Sequence, residues 1–152
     1  IILERYNGEP MTQEQKEACC EKKNTLYREL LKNMSPADLS DEVKNTLDEL
    51  RARGIKLAIG SSSKNTPFIL GQLGLGDYFD AVSDGNNITH SKPHPEVFLK
   101  AAEFLGIDPK DCLEAGLDAA IAGGMECAAI GDAVKCGKGT YNLSTFSDLL
   151  KI

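Results

Sequence analysis

The sequence predicts an α/β fold, in which a parallel sheet has helices on both faces, together with a smaller helical segment before it. From residue 39 onward, short apolar runs alternate with amphipathic segments of helical spacing, which is typical of a parallel sheet with crossover helices. Residues 12–33, in contrast, keep helical spacing without an intervening strand. The segment at residues 34–38, "MSPAD", breaks this helix and is interpreted as a linker between the two parts.

Residue spacing and end signals place the individual elements. Thr12 and Gln15 fit a capping box at the start of the first helix, and Gly54 ends a second helix that begins near Asp41. Ser144 is the expected cap of the last helix. Strands are predicted at 55–59, 81–83, 127–130 and 141–143, and further helices at 67–73, 95–105, 115–122 and 145–150. Right-handed crossovers place the carboxyl ends of parallel strands along one edge, so the loops that follow the strands should meet there.

Composition limits the classes of function. Hydrophobic residues make up 41% of the chain and charged residues 26%, and the net charge is −6. A nucleic-acid-binding protein needs a basic face, so this charge argues against that class, whereas a small anion can still bind at a local loop. No apolar run is long enough to span a membrane. The five cysteines lack metal-ligand spacing, and we expect reduced thiols in a monomeric cytoplasmic protein.

The loop "GSSSKN" at residues 60–65 follows the first strand of the core and precedes a helix. Backbone N–H groups at a helix start are unpaired and can bind an anion. Hydroxyl donors and one positive charge would be added by Ser61, Ser62, Ser63 and Lys64. The same loop also fits a plain strand-to-helix turn, with Asn65 as the N-cap and Pro67 in the first turn. The residues alone leave both interpretations open.

The segment "SKPHP" at residues 91–95 should lie on the same edge of the sheet. Pro93 restricts the backbone of Lys92, which could hold the lysine in place, although a surface lysine before a proline turn gives the same pattern. His90 and His94 are interpreted as solvated turn residues, and two histidines in one loop do not favour a catalytic triad or a metal site. No aspartate pair follows an apolar strand, so we expect neither a nucleophile nor a metal ligand within these residues.

Four segments together resemble the haloacid dehalogenase (HAD) superfamily and, within it, the β-phosphoglucomutases. They are "IKLAIGSSSKN", "LGLGDYFDAVSDG", "SKPHPEVFLKAAEFLGIDPKDCL" and "EAGLDAAIAGGMECAAIG". The resemblance extends over essentially the whole chain, including the helical segment "KKNTLYRELLKNMSPADL". It implies a HAD-like Rossmannoid core at residues 39–152. Residues 1–38 would be the C-terminal part of a helical cap domain.

The resemblance also implies roles for individual residues. Ser61 would bind the phosphoryl group that is transferred, and Lys92 would balance its charge. The second phosphate of the substrate would be held by the rest of the loop, which comprises Ser62, Ser63, Lys64 and Asn65. Lys23 would be a cap-domain lysine that reaches the site when the cap closes, although a solvated helix face explains the Lys22–Lys23 pair equally well.

Two parts of the family's pattern are absent. The Asp-x-Asp element, with the nucleophile and the acid/base aspartate, would lie before residue 1. Leu113 is followed directly by Glu114, where the family has an apolar strand ending in Glu-Asp, so no metal role is assigned to Glu114. A parallel sheet without these central strands would leave backbone groups unpaired. We therefore expect the chain to be part of a longer protein.

The implied activity is that of a Mg²⁺-dependent phosphohexomutase. Such an enzyme interconverts β-D-glucose 1-phosphate and glucose 6-phosphate through an aspartyl phosphate and a 1,6-bisphosphate, so the expected partner is a small-molecule sugar phosphate. One alternative is a phosphatase of the same superfamily that acts on a small sugar phosphate. Another is a catalytically inactive phosphosugar-binding fragment, because these residues lack a nucleophile.

Overall fold

A computed structural model describes residues 10–115 and 117–152. The chain divides into two compact units, Ile1–Met34 and Ser35–Ile152. In the first unit, helix α1 covers Gln13–Leu31, and the predicted capping box is confirmed, because Thr12 and Gln15 exchange hydrogen bonds through their side chains and backbone N–H groups. That this unit belongs to a cap domain stays a prediction. None of the described helices is both long enough and apolar enough to cross a membrane.

The second unit alternates helices and strands, as the sequence predicts. Its helices are α2 (Asp41–Ala52), α3 (Thr66–Gln72), α4 (Glu96–Leu105) and α5 (Asp118–Ala122). Its strands are β1 (Ala58–Gly60), β2 (Ala81–Ser83), β3 (Leu113–Glu114), β4 (Glu126–Ile130) and β5 (Tyr141–Leu143). Short 3₁₀ turns occupy Pro36–Asp38, Pro109–Asp111, Gly131–Cys136 and Phe146–Lys151.

All strand pairs are parallel, and they form two hydrogen-bonded sheets. One sheet has the order β1-β2 and the other the order β3-β4-β5. Within the part of the chain that the structure describes, no ladder joins β1 to β3. The chain passes from Leu113 to Glu114 within β3, which is only two residues long and therefore offers few backbone groups for pairing. The predicted fold class, α/β with parallel strands, is confirmed.

Several element boundaries differ from the prediction for local reasons. β1 begins at Ala58 rather than at Ile55, because the Ile55 N–H bonds the end of α2 and the Leu57 N–H bonds the Asp80 carboxylate. The helix predicted at 115–122 begins only at Asp118, and Gly116 lies outside the described residues.

The last element is a 3₁₀ turn rather than an α-helix, and the predicted cap by Ser144 is wrong. Thr145 takes the N-cap position, where its carbonyl accepts the Asp148 N–H at 3.3 Å. The Asp148 carboxylate accepts the backbone N–H groups of both Ser144 and Thr145, so the cap lies one residue later than predicted.

Helix α4 is the centre of the core. Its inward face buries four residues, Val97, Phe98, Ala101 and Ala102. Val97, Phe98 and Ala102 join one apolar cluster with α5 and β4 residues, including Ala120 and Cys127. The helix ends as predicted at Gly106, whose φ of 67° lies in the left-handed region that favours glycine. Because α4 also packs on β1 and β2, it supports the strands from which the loops of the candidate site begin.

Candidate functional site

Three loops meet at the carboxyl end of β1 and β2. We name residues 61–65 the serine loop and residues 89–95 the lysine loop; residues 84–87 form the loop after β2. The Ser61 N–H donates to the carbonyl of Ser83 at 2.9 Å, and the Gly85 N–H donates to the carbonyl of Ser63 at 3.2 Å. The Lys92 N–H donates to Ser62 Oγ at 3.3 Å. The structure therefore brings together the two loops that the sequence singled out.

The three serine hydroxyls are oriented by backbone groups. Ser61 Oγ accepts the Ser63 N–H at 3.2 Å, and Ser63 Oγ accepts the Asn65 N–H at 3.1 Å. Ser62 Oγ accepts the Lys92 N–H. A hydroxyl that accepts in this way still has its own proton to donate. The serine loop can therefore present oriented O–H donors to an anion such as a phosphate.

The start of α3 follows the predicted turn, because Asn65 precedes the helix and Pro67 lies in its first turn. Asn65 occupies the N-cap position, but its side chain makes no capping hydrogen bond. Ser63 also bonds at this point, because its hydroxyl accepts the Asn65 N–H and its carbonyl accepts the Thr66 hydroxyl at 2.8 Å. These hydrogen bonds add to the predicted turn, and such a turn is compatible with an anion site.

The loop after β2 supports the serine loop from close range. A Cβ on Gly85 would lie 2.6 Å from the Ser62 carbonyl oxygen and 2.8 Å from the Lys64 nitrogen, so only glycine fits without a backbone shift. The Asn86 side chain donates to the Lys64 carbonyl at 3.2 Å. These contacts fix the backbone of Lys64, while its side chain is exposed and can reach a ligand.

Lys92 is anchored at the end of β1, although it is exposed. Its ammonium group donates to the Gly60 carbonyl at 3.2 Å and lies 5.0 Å from the centroid of the Phe98 ring. The following Lys92–Pro93 peptide is cis. A positive charge therefore sits beside the serine loop, as the anion-site interpretation requires, rather than on a free surface side chain.

Glu114 is a candidate that the sequence interpretation did not include. It ends β3, and its Oε2 atom is buried with no hydrogen-bond partner among the described residues. Burial raises the pKa of Glu114, and the positive charge of Lys92 lowers it. The sequence before Glu114, "PKDCL", gives no strong strand signal, and the proximity of Glu114 to Lys92 depends on tertiary structure.

We expect the substitution Lys92→Met to raise the pKa of Glu114 further, because it removes the charge that opposes the effect of burial. A carboxyl pKa above its unfolded value opposes folding at neutral pH, and this cost disappears as the pH falls and Glu114 is protonated. The pKa is measured by ¹³C NMR titration of the glutamate carboxyl carbons, with Lys100→Met as the control. An unchanged Glu114 midpoint in Lys92→Met would contradict the proximity of the two groups.

The described residues do not fit a complete Mg²⁺ site. Mg²⁺ takes octahedral oxygen ligands, of which one or two are usually carboxylates. Near these loops, Glu114 is the carboxylate with an unpartnered oxygen. The buried Asp84 uses one oxygen for the Asn86 N–H at 2.8 Å and the other for the Asn86 side chain at 3.2 Å. We therefore derive no catalytic step through a metal ion.

Lys23 lies in the first unit, on α1, where its ammonium group is 5.0 Å from the centroid of the Tyr27 ring. This contact agrees with an exposed helix face. The role of Lys23 as a cap-domain residue that reaches the site stays a prediction.

Comparison with known proteins identifies the family. The model of the haloacid dehalogenase-like hydrolases matches residues 3–135. The chain is 34% identical over 125 residues to β-phosphoglucomutase of Bacillus subtilis, a match that covers 79% of this chain and 55% of that protein. It is 33% identical over 115 residues to fructose-1-phosphate phosphatase YqaB of Escherichia coli, covering 72% of this chain and 60% of the relative.

A solved structure gives the same result. The crystal structure of β-phosphoglucomutase from Clostridium difficile superposes with a TM-score of 0.83 at 28% identity, covering 91% of this chain and 65% of that one. The chain belongs to the haloacid dehalogenase-like hydrolase family. Within this family it is β-phosphoglucomutase-like. It spans less than two thirds of the length of each of these relatives.

Proposed function

We propose that this chain provides the phosphate-binding part of a β-phosphoglucomutase-like enzyme that converts β-D-glucose 1-phosphate to glucose 6-phosphate. One observation supports the proposal: the Lys92 N–H donates to Ser62 Oγ, so the lysine and the serine loop lie side by side. Similarity to two β-phosphoglucomutases favours a mutase. Mg²⁺ dependence, a monomeric state and a cytoplasmic location belong to the same proposal.

The proposed division of labour follows from charge and position. Ser61 directly follows β1, and the Lys92 ammonium group donates to the carbonyl of Gly60, the last residue of β1. Ser61 and Lys92 would therefore stabilise negative charge on the phosphoryl group that is transferred. Ser63, Lys64 and Asn65 would hold the phosphate that stays on the sugar. The aspartate nucleophile is outside these residues. Closure of a cap that includes Lys23 would exclude water, so that the sugar receives the phosphoryl group.

A phosphatase is the second candidate, because one relative is a fructose-1-phosphate phosphatase at nearly the same identity as the mutase. The same serine loop and lysine can bind the phosphate of either substrate. The two functions differ in the acceptor of the phosphoryl group, which is a sugar hydroxyl in the mutase and water in the phosphatase.

One assay separates these functions. The full-length protein that contains this chain is given β-D-glucose 1-phosphate with Mg²⁺ and a trace of the 1,6-bisphosphate, and glucose 6-phosphate and inorganic phosphate are both followed. The mutase proposal predicts that glucose 6-phosphate forms with little release of phosphate. Release of phosphate without glucose 6-phosphate would support the phosphatase, and substrate binding without either product would support the inactive fragment.

The substitution Lys64→Ala should weaken binding of the sugar phosphate. Loss of one hydrogen bond to a charged group costs about 1.5–3 kcal/mol, which corresponds to a rise in KM of roughly 10- to 150-fold. Steady-state kinetics of the full-length protein that contains this chain measure KM, and Lys110→Ala on another exposed turn is the control. A KM that equals that of the unsubstituted protein would remove Lys64 from the phosphate site.

A further inference from the structure

The lysine loop and the start of α4 gather a second cluster of polar side chains. One ligand atom from each of His90, His94 and Glu96 lies within 4.8 Å of the others. His90 Nδ1 is 3.0 Å from Glu96 Oε2, and the two imidazole centroids are 4.6 Å apart. From the sequence, both histidines are interpreted as solvated turn residues and a metal site is not favoured, so the cluster is a finding of the structure.

Glu96 is held in place by the loop itself. Its carboxylate accepts the backbone N–H of Thr89 at 2.9 Å and that of His90 at 2.6 Å. These two N–H groups, together with the His90 imidazole, lower the pKa of Glu96 to about 2. The carboxylate is therefore ionised at neutral pH and oriented towards His90, while the His90 side chain is 63% exposed and has room to turn.

We propose that His90, His94 and Glu96 form a binding site for a transition-metal dication of the Zn²⁺ type. Two imidazole nitrogens and one carboxylate are a ligand set that Zn²⁺ accepts with a fourth position left to water, whereas Mg²⁺ prefers oxygen ligands alone. Metal–ligand bonds of about 2.0–2.2 Å place tetrahedral ligand atoms roughly 3.3 Å apart. Rotation of the exposed rings closes the remaining distance from 4.8 Å.

The hydrogen bonds of the cluster change in a defined way when the ion binds. When His90 Nδ1 coordinates the metal, the neutral imidazole carries its proton on Nε2, and coordination replaces the contact between Nδ1 and Glu96 Oε2. His94 Nδ1 now accepts the Glu96 N–H at 3.2 Å. Coordination gives up this bond, because Nδ1 either uses its lone pair for the metal or becomes protonated when Nε2 coordinates. The Thr89 and His90 N–H groups still support the carboxylate.

Zn²⁺ titration of the metal-free full chain, in competition with a chromophoric chelator, tests the proposal. We expect one Zn²⁺ per chain at this cluster, and His90→Gln or His94→Gln should weaken its affinity by about 10- to 100-fold or more. Exposed thiols also bind Zn²⁺, so the matched control replaces Cys19, Cys20 and Cys136 by serine. That control should keep the affinity of the unsubstituted chain, and excess Mg²⁺ should not displace the ion.

The proposal is overturned if the His90→Gln/His94→Gln double variant binds Zn²⁺ as tightly as the unsubstituted chain, or if the serine variant loses the ion. A second measurement needs no folded variant. The chain contains two histidines, so its imidazole ¹H–¹⁵N spectrum should show both rings shifting together up to one equivalent of Zn²⁺. The site would also be excluded if the signals of neither ring shifted, or if the signals of only one ring shifted.

Discussion

Replacing Lys92 by methionine is expected to lower turnover of the sugar phosphate by about 100- to 1,000-fold, the usual effect of losing one preorganised group that stabilises transition-state charge. The Lys92 ammonium group is anchored on the Gly60 carbonyl and the face of the Phe98 ring. Methionine keeps much of the side-chain volume but removes the charge. The loss should therefore appear in kcat as well as in kcat/KM.

The measurement is steady-state turnover of β-D-glucose 1-phosphate by the full-length protein that contains this chain, and circular dichroism checks that the variant is folded. Lys100→Met is a suitable control, because Lys100 lies on α4 and pairs with Glu103 at 3.8 Å, in a surface ion pair of little energetic value. Turnover by Lys92→Met within about twofold of the unsubstituted protein would show that Lys92 does not act on the transferred group.

The substitution Gly60→Ala should destabilise the protein by about 1–3 kcal/mol, the range for overpacking a well-filled core. A Cβ on Gly60 would overlap with the ring of Phe98, which is only 5% exposed and packs in the apolar cluster around α4. The ring has to move, and Lys92 rests on that ring. Urea denaturation measures the loss of stability, and we also expect weaker binding of sugar phosphate.

A second glycine provides a control of opposite sign. Gly71 lies within α3, and a Cβ there would meet no atom within 4 Å. Alanine is favoured over glycine inside a helix, so Gly71→Ala should stabilise the protein by about 0.5–1 kcal/mol. If Gly60→Ala proved as stable as the unsubstituted protein, the close packing of Phe98 against β1 would be wrong.

Elements with strong local signals could be predicted from the sequence. The Thr12–Gln15 capping box and the α4 helix with its Gly106 stop depend on residues close together in the chain, and both are present. The division into two sheets could not be predicted, because strand pairing depends on residues far apart. The same holds for β1, whose start is set by the Asp80 carboxylate on Leu57, 23 positions away in the chain.

The site shows the same distinction. The serine loop and Lys92 were predicted to share one edge of the sheet because both follow strands, and the structure places them in contact. The proximity of Glu114 to Lys92 and the gathering of His90, His94 and Glu96 were not predicted. Both groupings form because the fold brings distant or exposed side chains together. From the sequence, no role is assigned to Glu114, and the two histidines are interpreted as solvated turn residues.

Whether the serine loop and Lys92 form one phosphate site can be tested by backbone ¹H–¹⁵N NMR during titration with glucose 6-phosphate. We predict saturable shifts of the amide signals of residues 61–65 and of Lys92, with the same dissociation constant, because Ser62 Oγ and the Lys92 N–H are hydrogen-bonded. The amides of α2, Asp41–Ala52, should stay in place. Shifts that leave out the serine loop, or that give Lys92 a separate affinity, would contradict a shared phosphate site.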